Sequence, residues 1–588
     1  MEYQGEEVAD CEDGKAMDVK EGADVEMTES QNDDPNKTEP NPFSYVENSA
    51  FTSEKYKIVI RGLPKYFSIK DFRKFLNVKL KLNCNKVKMM GRIAGNVAYA
   101  CFRSEEERDK GLKVINESTW KKRKLNAKLC QPAPDPYITK RLLCKEMKDD
   151  LDTVEKQKEA LLKSVSPLFS IPYEEQLESK EKCAKKALHQ LGIALQKDDI
   201  LKEWLSEQKA NCDGLPCKLL GIQSLKDFTE RYRNKCEFSI ARNELTGKKT
   251  VGFRLGTYAS GSVTVVSAED IKIIPNVMVQ ATKAFEKFIR QSKYEPYSPK
   301  TLTGNWKMLT VRVGTQTDEL MLLVGFDPQK LSDDEIKDVK EKIKEFFRQE
   351  SECLKVDSLY FRLMPRNEKG QKGYSPELLY GKTHIEEILC GLRFRISPES
   401  FFQINSRCAE LLVKCIKDLA NIDKETIVVD VYCGTGTLGL CLANDCKEVF
   451  GIEVLEQAVK DAQENAKMNN IQNSTFFTGK ADDILTSVLK KANEDAKVVA
   501  IVDPPRAGLH KYAVQKLRSA KNLQRFVYLA CDAKSALNNF TELGRAPSKT
   551  LLGDPFVPVA AIPVDMFPMT NHYELIIFFE RLPSKNAS

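Results

Sequence analysis

Strands that alternate with helices dominate the last third of this 588-residue chain. The stretch "TIVVDVYCGTGTLGLCLA" (426–443) has the pattern of a buried strand, a glycine turn and a helix. Three further strands follow, in "EVFGIEVLEQAVKDAQENA", "VVAIVDPPRAGLH" and "FVYLACDAK". Apolar strands that each precede a helix are typical of a doubly wound parallel sheet. The sequence therefore predicts an α/β domain over residues 396–588.

The later strands of this domain end in polar or reactive residues. The second strand ends in Glu453, the third in Asp503 and the fourth in Cys531. Open α/β sheets bind their ligands at the carboxyl ends of the strands. These three residues are therefore candidate site residues, although a free cysteine is more often a buried packing residue.

The glycine turn after the first strand indicates a cofactor that contains a ribose. Gly434 and Gly436 let the backbone approach a ligand, and Glu453 at the end of the next strand can hold a ribose diol. Together with Gly439, the spacing also fits the GxGxxG of nicotinamide enzymes, so a dinucleotide is an alternative ligand. Asp430 before the turn and the "DPPR" after the third strand have no dinucleotide role, and they resemble S-adenosylmethionine-dependent methyltransferases.

Cys531 and Glu574, which lies in "TNHYELIIFFE", suit one reaction in particular. The C5 carbon of uracil is too weak a nucleophile to attack a sulfonium methyl group unaided. Addition of a thiolate to C6 makes C5 enolate-like, and a base must then remove the C5 proton. Cys531 would be the nucleophile and Glu574 the base. Considered alone, Glu574 would more often be a solvated residue of an edge strand.

From about Pro398 to the C-terminus, and more loosely from Arg231, the chain resembles the RNA uracil-C5 methyltransferases. The segments "SFFQINS", "VYCGTGT" and "VDPPRAG" match three motifs of that family. The resemblance implies S-adenosyl-L-methionine as cofactor, without a metal or an iron–sulfur cluster. It implies tRNA as substrate and 5-methyluridine at position 54 of the T-loop as product. Messenger and ribosomal RNA are further substrate classes that it leaves open.

The resemblance also assigns roles to residues at matching positions. The implied cofactor-binding residues are Gln403, Tyr432, Gly434, Gly436, Thr437, Glu453 and Asp503. Cys531 matches the nucleophile of the family and Glu574 matches its base.

The nucleophile motif departs from the family pattern. The family commonly has Ser-Cys-Asn-Pro, whereas Ala530, Asp532 and Ala533 surround Cys531 here. A neighbouring carboxylate is expected to raise the pKa of the thiol, unless Arg506 or a helix N-terminus offsets it. The alternative function is therefore a tRNA-binding or tRNA-folding factor with little or no catalysis.

An N-terminal region over residues 55–131 resembles an RNA recognition motif. Its strands "YKIVIRGLP" and "GNVAYACF" flank the helical "SIKDFRKFL". Val59 and Val97 occupy two of the three usual aromatic positions, which leaves Tyr99 to stack on a base. A protein-docking module is the alternative function of this region.

The remaining segments complete the predicted organisation. Residues 1–50 form an acidic leader that we expect to be disordered, and 138–225 form a helical connector. A mixed, β-rich middle domain follows over 226–395. The basic residues Arg231, Arg233 and Lys235 in that domain, and Arg506 near the predicted site, are candidate RNA contacts.

Composition excludes several classes of protein. The net charge is +6 although the leader is acidic, so the rest of the chain is basic and suits a polyanionic partner. The 17 cysteines contain no CxxC pair and no zinc-type cluster, which favours reduced thiols in the cytosol or nucleus. No apolar run is long enough for a membrane span, and the sequence does not fix an oligomeric state.

Overall fold

The computed structural model describes residues 54–64, 68–89, 97–131, 151–256, 264–299, 301–365, 374–492 and 496–582. The described residues up to Leu151 belong to one compact unit, and those from Asp152 onward belong to another. The acidic leader predicted over residues 1–50 lies outside the described residues.

The N-terminal unit combines a four-stranded antiparallel sheet with two helices, in the order β-α-β-β-α-β, and a separate two-stranded hairpin lies between the second helix and the last strand. Its elements are β1 (Lys57–Arg61), α1 (Ile69–Lys74), β2 (Lys86–Met89), β3 (Ala98–Cys101), α2 (Glu105–Asn116), β4 (Thr119–Trp120), β5 (Arg123–Lys124) and β6 (Asn126–Leu129). The main sheet has the order β2-β3-β1-β6. Ile58 and Ile60 of β1 are buried in the core, so the alternating Val59 and its cross-strand partner Tyr99 lie on the opposite face.

Helices open the second unit. They are α3 (Val154–Val165), α4 (Tyr173–Leu195) and α5 (Lys202–Asn211), and the short strand β7 (Lys218–Leu219) follows them. The Thr153 hydroxyl caps α3 by accepting a hydrogen bond from the Lys156 amide at 3.2 Å.

A seven-stranded sheet forms the middle of the second unit. Its elements are β8 (Lys235–Arg242), β9 (Lys249–Arg254), β10 (Val265–Val266), α6 (Asn276–Gln291), β11 (Trp306–Val313), β12 (Leu320–Phe326), α7 (Asp333–Gln349), β13 (Ser358–Leu363) and β14 (Glu377–Gly381). The strand order is β10-β9-β8-β11-β12-β13-β14, and β12 and β13 run parallel because α7 crosses between them. The ring of Phe285 on α6 packs edge-on against Trp306 at 5.6 Å.

The C-terminal part contains the predicted α/β domain. Its elements are β15 (Ile385–Leu389), β16 (Leu392–Ile396), α8 (Ser406–Ala420), β17 (Thr426–Val431), α9 (Thr437–Leu442), β18 (Glu448–Glu453), α10 (Glu456–Met468), β19 (Ser474–Thr478), α11 (Ala481–Leu489), β20 (Lys497–Val502), α12 (Lys511–Ser519), β21 (Leu523–Ala530), α13 (Ala533–Gly544), β22 (Phe556–Val564) and β23 (Glu574–Arg581). The sheet order is β19-β18-β17-β20-β21-β23-β22-β7. The strands β17 to β21 are parallel, as the sequence predicted.

One reversed strand completes the sheet. β23 runs antiparallel to β21, and Leu575 is the pairing partner of Ala530. The start of β23 therefore lies at the same edge of the sheet as the carboxyl end of β21. This places Glu574 beside Cys531, although 43 positions of sequence numbering separate them (574 − 531).

The predicted helical connector is built into the α/β domain. Leu188 and Leu191 of α4 share a buried core with Phe540 and Leu543 of α13, and β7 pairs in parallel with β22. The helical pattern predicted buried faces but not the surface that they would bury against. The predicted domain start at residue 396 falls on the last residue of β16, whose hairpin with β15 packs in the core that contains α8.

Candidate active site

Cys531 follows the last residue of β21 and precedes helix α13. Its side chain is half-buried at the carboxyl edge of the sheet. Glu574, the first residue of β23, is only 7% exposed, and its Oε1 is buried without a hydrogen-bond partner among the described residues. The two proposed reactive groups therefore stand at one edge of the sheet, and the carboxylate has an acceptor atom to spare.

Mutual repulsion and burial govern the protonation of both groups. Burial raises the pKa of Cys531 to about 12, and the charges of Glu574 and Asp503 contribute further. Burial, followed by the charge of Asp503, also raises the pKa of Glu574 well above its usual range. Burial and the neighbouring carboxyls therefore favour the protonated form of both groups, and a positive charge beside them would oppose this effect.

Asp532 has a different main role from the one expected from sequence. Its carboxylate caps α13 by accepting hydrogen bonds from the amides of Lys534 at 2.9 Å and Ser535 at 3.3 Å. Among the influences on the pKa of Cys531, its charge ranks below burial and the other two carboxylates, and Arg506 opposes the increase. The predicted increase in the pKa of Cys531 by Asp532 and the opposing effect of Arg506 are therefore both confirmed in direction. Glu574 and Asp503 have larger effects, because the fold brings these two carboxyls to the thiol.

The glycine turn between β17 and α9 is shaped by its backbone. Tyr432, Gly434 and Gly436 all have positive φ, at 70°, 56° and 78°. A Cβ at Gly436 would lie 3.0 Å from the ring of Phe476. The following Thr437 is buried, with its hydroxyl 3.1 Å from that of Thr435. The turn thus follows a path that favours glycine at two positions.

Glu453 connects the end of β18 to the glycine turn. Its carboxylate accepts hydrogen bonds from the amides of Gly434 at 3.2 Å, Val454 at 2.7 Å and Leu455 at 2.9 Å. Since each carboxylate oxygen has two lone pairs, acceptor capacity is left for a ligand hydroxyl.

Two aspartates lie beneath the turn. Asp430 accepts a hydrogen bond from the Gly439 amide at 2.9 Å, while its Oδ1 is buried without a partner among the described residues. Asp503 accepts a long hydrogen bond of 3.4 Å from Gln403. Burial raises the pKa of both carboxyls to about 7. Gln403 and Asp503, predicted from separate motifs, thus meet in the structure.

The sequence analysis missed several residues at this edge. Phe401, Val454 and Leu455 are large apolar side chains that remain at least 43% exposed. Asp482 follows β19 and lies 3.0 Å from His510, and its charge helps to raise the pKa of Tyr432, after burial. The rule that polar residues follow parallel strands would have found Asp482 if it had been applied to β19.

Two of the predicted RNA contacts lie near the reactive groups. Burial lowers the pKa of His572, two residues before Glu574, and the charges of Arg506 and Arg233 lower it further. Arg506 is exposed and Arg233 is half-buried. The middle domain and the α/β domain therefore each place a guanidinium near His572, two residues before Glu574.

The other predicted RNA contacts are Arg231, Lys235 and Tyr99. Arg231 is exposed, and Lys235 forms a 2.9 Å ion pair with Glu237. Tyr99 belongs to the N-terminal unit, where the ammonium of Lys57 lies 4.4 Å from the centre of its ring.

The charge of the site discriminates between the two cofactor classes. Residues 432–439 contain no Lys or Arg, while the acids Glu453 and Asp503 lie close enough to Asp430 for their charges to interact with it. A dinucleotide would bring a negative pyrophosphate to these acids, whereas S-adenosylmethionine would bring a sulfonium cation. The residues fit the cation, and the dinucleotide alternative is disfavoured.

Two other features, a metal-binding cluster and a membrane-spanning helix, are absent from the described residues. Within the described ranges, no group of three or more His, Cys, Asp and Glu side chains is arranged to hold a metal ion. In the same part of the chain, no helix is both long and apolar enough to cross a membrane.

Comparison with known proteins gives consistent matches. Residues 335–582 match the tRNA (Uracil-5-)-methyltransferase family. The tRNA (uracil-5-)-methyltransferase homolog A of Homo sapiens is 38% identical over 553 residues, which cover 94% of this chain and 86% of that protein. Homolog B of Homo sapiens is 40% identical over 429 residues, covering 72% of this chain and 84% of that protein.

A solved structure shares the fold. It is the Pyrococcus abyssi tRNA (uracil-54, C5)-methyltransferase in complex with S-adenosyl-L-homocysteine. The TM-score is 0.51 at 22% sequence identity, and the match covers 71% of this chain and 84% of that structure. This likeness confirms the predicted α/β fold class.

A doubly wound sheet with a glycine turn and an acidic carboxyl edge places the chain in the class of Rossmann-like α/β proteins. Within that class, the chain belongs to the tRNA (uracil-5-)-methyltransferase family. The family predicted from the motifs is therefore confirmed, and the motifs also predicted a likeness to the animal homolog A, which is 38% identical to this chain in both Homo sapiens and Mus musculus.

The pKa of Cys531 predicts its reactivity. Because the thiolate is the reactive form, a pKa of about 12 means that alkylation of Cys531 by iodoacetamide keeps rising with pH. Between pH 8 and 10, in protein without added ligand, we expect about a tenfold increase per pH unit, measured by peptide mass spectrometry. The exposed Cys183 serves as an internal reference. A plateau at Cys531 below pH 9 would contradict the prediction.

The capping role of Asp532 predicts a difference between two substitutions. Asp532→Ala should lower the free energy of unfolding by about 1 kcal/mol, because it removes the cap of α13. Asp532→Asn keeps a capping oxygen and should leave stability nearly unchanged, which chemical denaturation can measure. Equal losses in both variants would show that the negative charge, and not the cap, is what matters.

Proposed function

We propose that the protein transfers a methyl group from S-adenosyl-L-methionine to C5 of uridine 54 in the T-loop of tRNA. The observation that carries this proposal is the meeting of Cys531 and Glu574 at one edge of the sheet, through the antiparallel pairing of β21 and β23. The name of the structurally similar Pyrococcus abyssi enzyme supports the position in the tRNA.

The glycine turn and its neighbours are proposed to bind the cofactor. S-Adenosylmethionine, when bound, supplies the methyl group on a positively charged sulfur. Glu453 would accept hydrogen bonds from the ribose hydroxyls, and Tyr432, Gly434, Gly436 and Thr437 would line the approach of the backbone. Asp503, held by Gln403, would face the positive charge.

The site residues that the sequence did not predict have side chains that can contact the adenine ring of the cofactor. Val454 and Leu455 follow Glu453 directly and expose apolar surface on which a purine can pack. Asp482 offers an acceptor for an exocyclic amine. This would place the adenine beyond the end of β18.

Cys531 and Glu574 would act in sequence on the uracil. The thiol first loses its proton to solvent, and the thiolate sulfur bonds to C6 while the electrons of the C5–C6 double bond move toward C5 and the O4 carbonyl. C5, made nucleophilic by the bond from Cys531 to C6, would then accept the methyl group that the cofactor supplies. Glu574 finally removes the C5 proton, the double bond reforms, the C6–sulfur bond breaks and the thiolate returns.

The acidic residues of the site make the proposed reaction steps depend on the charge of the cofactor. The pKa of Cys531 is raised by burial, and next by the carboxylates of Glu574 and Asp503. A cation beside Asp503 would lower the pKa values of all three groups. The site would therefore form its thiolate and its carboxylate base when the positive charge of the cofactor is present.

Basic and aromatic groups support tRNA as the partner. Arg233 and Arg506 flank the Glu574 loop and could contact phosphates. On the N-terminal unit, the β-α-β-β-α-β order supports an RNA-recognition role, with Tyr99 and the exposed Lys88 and Lys128 on its open sheet face. A cytosolic or nuclear location stays a prediction.

The alternative, a tRNA-binding or tRNA-folding factor with little catalysis, was suggested by Asp532 and Ala533. The helix cap formed by Asp532 gives that departure a structural purpose that is compatible with catalysis. No other feature of the described residues favours the alternative over the enzyme.

Two substitutions test the proposed chemistry. On unmodified tRNA, Cys531→Ala should abolish transfer of labelled methyl, and it should form no covalent adduct with tRNA that contains 5-fluorouridine. Glu574→Gln should still form the adduct but should turn over about 100- to 10,000-fold more slowly, because a general base is lost.

Cys183→Ala, at an exposed position on α4, is the matched control and should behave as wild type. Product mapping by nuclease digestion and mass spectrometry tests position 54. Wild-type protein that binds tRNA yet neither methylates it nor forms the adduct would favour the binding factor.

A third substitution tests the N-terminal unit. Tyr99→Ala should weaken tRNA binding by about 1–3 kcal/mol, the worth of one base stacked on an aromatic ring. Tyr99→Phe keeps the ring and should bind like wild type, as measured by filter binding at fixed salt. Unchanged affinity of the Ala variant would remove the case for stacking at this position.

A further inference from the structure

The segment Asp565–Met569 joins β22 to the loop that carries His572 and leads into Glu574, the first residue of β23. Although it lies in the α/β domain, it is held largely by side chains from distant parts of the chain. Three of these side chains come from helix α4, at Tyr173, Gln176 and Lys180. Spacings of three and four residues place them on one face of that helix.

Lys180 and Tyr173 bind the first part of the segment. The Lys180 ammonium donates hydrogen bonds to Asp565 Oδ1 at 2.6 Å and to the carbonyl of Phe567 at 2.9 Å. The Tyr173 hydroxyl donates to Asp565 Oδ2 at 2.8 Å. Lys180 is 2% exposed and Asp565 is fully buried, so the ion pair is shielded from solvent.

Gln176 binds the last part of the segment. Its Oε1 accepts a hydrogen bond from the Met569 amide at 2.9 Å, and its Nε2 donates to the carbonyls of Leu168 and Ile171. Met569 has a φ of 64°, a conformation that non-glycine residues adopt when their surroundings enforce it. The chain is thereby turned toward His572 and Glu574.

Two further groups hold the segment from other sides. The Tyr232 hydroxyl donates to the carbonyl of Pro568 at 3.0 Å, and the Asn405 amide donates to the carbonyl of Met566 at 3.0 Å. Each residue from Asp565 to Met569 thus has a hydrogen bond to a group outside the segment. This density of contacts exceeds what a simple link between two strands requires.

We infer that helix α4 positions the catalytic base: Tyr173, Gln176 and Lys180 fix Asp565–Met569 and thereby the place of Glu574. The inference rests on the proposed function. Lys180 and its two neighbours on α4 are positioning residues, because they act through the segment and not on the uracil. The segment leads along the chain into β23, which begins with Glu574, whereas Cys531 follows β21 and is not continuous with the segment.

This separation predicts which step the helix controls. Glu574 acts after methyl transfer, when it removes the C5 proton. A loosened segment should therefore slow release of the finished product and leave formation of the Cys531 adduct intact. Misplacement of a catalytic group by about 1 Å can cost roughly 100-fold in rate.

The test replaces the buried pair as a unit. Lys180→Met alone would leave Asp565 as an unpaired buried charge and would threaten folding, whereas replacement of both partners by apolar residues is often neutral for stability. The variant is therefore Lys180→Met with Asp565→Leu in the full-length chain. Lys182→Met is the matched control, since Lys182 lies on the same helix with an exposed side chain.

In the double variant, we expect turnover on unmodified tRNA to fall about 10- to 100-fold. A methylated, denaturant-stable enzyme–tRNA adduct should accumulate on ordinary uridine, as in Glu574→Gln, while the single-turnover rate of methyl transfer stays near that of wild type. Tyr173→Phe, which removes one hydrogen bond, should show a smaller change in the same direction.

Two outcomes would overturn the inference. One is wild-type turnover in a folded double variant, and the other is a parallel loss of turnover and of adduct formation with 5-fluorouridine tRNA, which would indicate a general structural role. Failure of the proposed function is recognised separately, because wild type and Lys182→Met would then form neither adduct nor 5-methyluridine.

Discussion

The antiparallel pairing of β23 with β21 is the constraint on which the site depends. Because β23 is reversed, its first residue lies beside the last residue of β21. Had this eight-residue strand run parallel, Glu574 would stand at the far edge of the sheet, about 25 Å from the thiol. Both strands are apolar and covered, so their pairing is enforced by burial rather than by the reactive groups. The structural core thus brings together two side chains that repel each other.

That repulsion defines the electrostatic character of the site. Burial is the largest influence that disfavours the charged forms of Cys531 and Glu574. The charge of Asp503 adds to this effect at both groups, and the charge of Glu574 adds to it at Cys531. Such an arrangement costs stability unless a ligand supplies the opposite charge. The proposed cofactor carries that charge on the group that reacts. Binding and activation would then be one electrostatic event, and a neutral thioether product would be bound less favourably than the cation.

Much of this site could be predicted from the sequence, because the ends of buried strands can be recognised in it. An apolar run followed by a polar residue located Glu453, Asp503 and Cys531 without any structure. The cap formed by Asp532 could not be assigned in the same way, since a cap depends on the residue at which the helix begins. The connector was assigned by composition alone, and its helical pattern indicated a buried face without identifying the opposing surface. Contacts between residues about 390 positions apart, such as Tyr173 and Asp565, leave no local signal.

The core that α4 shares with α13 determines which fragments of this protein can fold independently. The N-terminal unit has a hydrophobic core of its own and meets the physical requirement for an independent module. The α/β domain does not meet this requirement when it is cut at residue 396. Such a fragment would expose the apolar surface that α4 covers, and it would leave the Asp565 carboxylate buried without its ammonium partner. The catalytic residues therefore need the whole second unit for their correct placement. The smallest fragment of this unit that keeps its core intact begins before Tyr173, well upstream of the first catalytic motif.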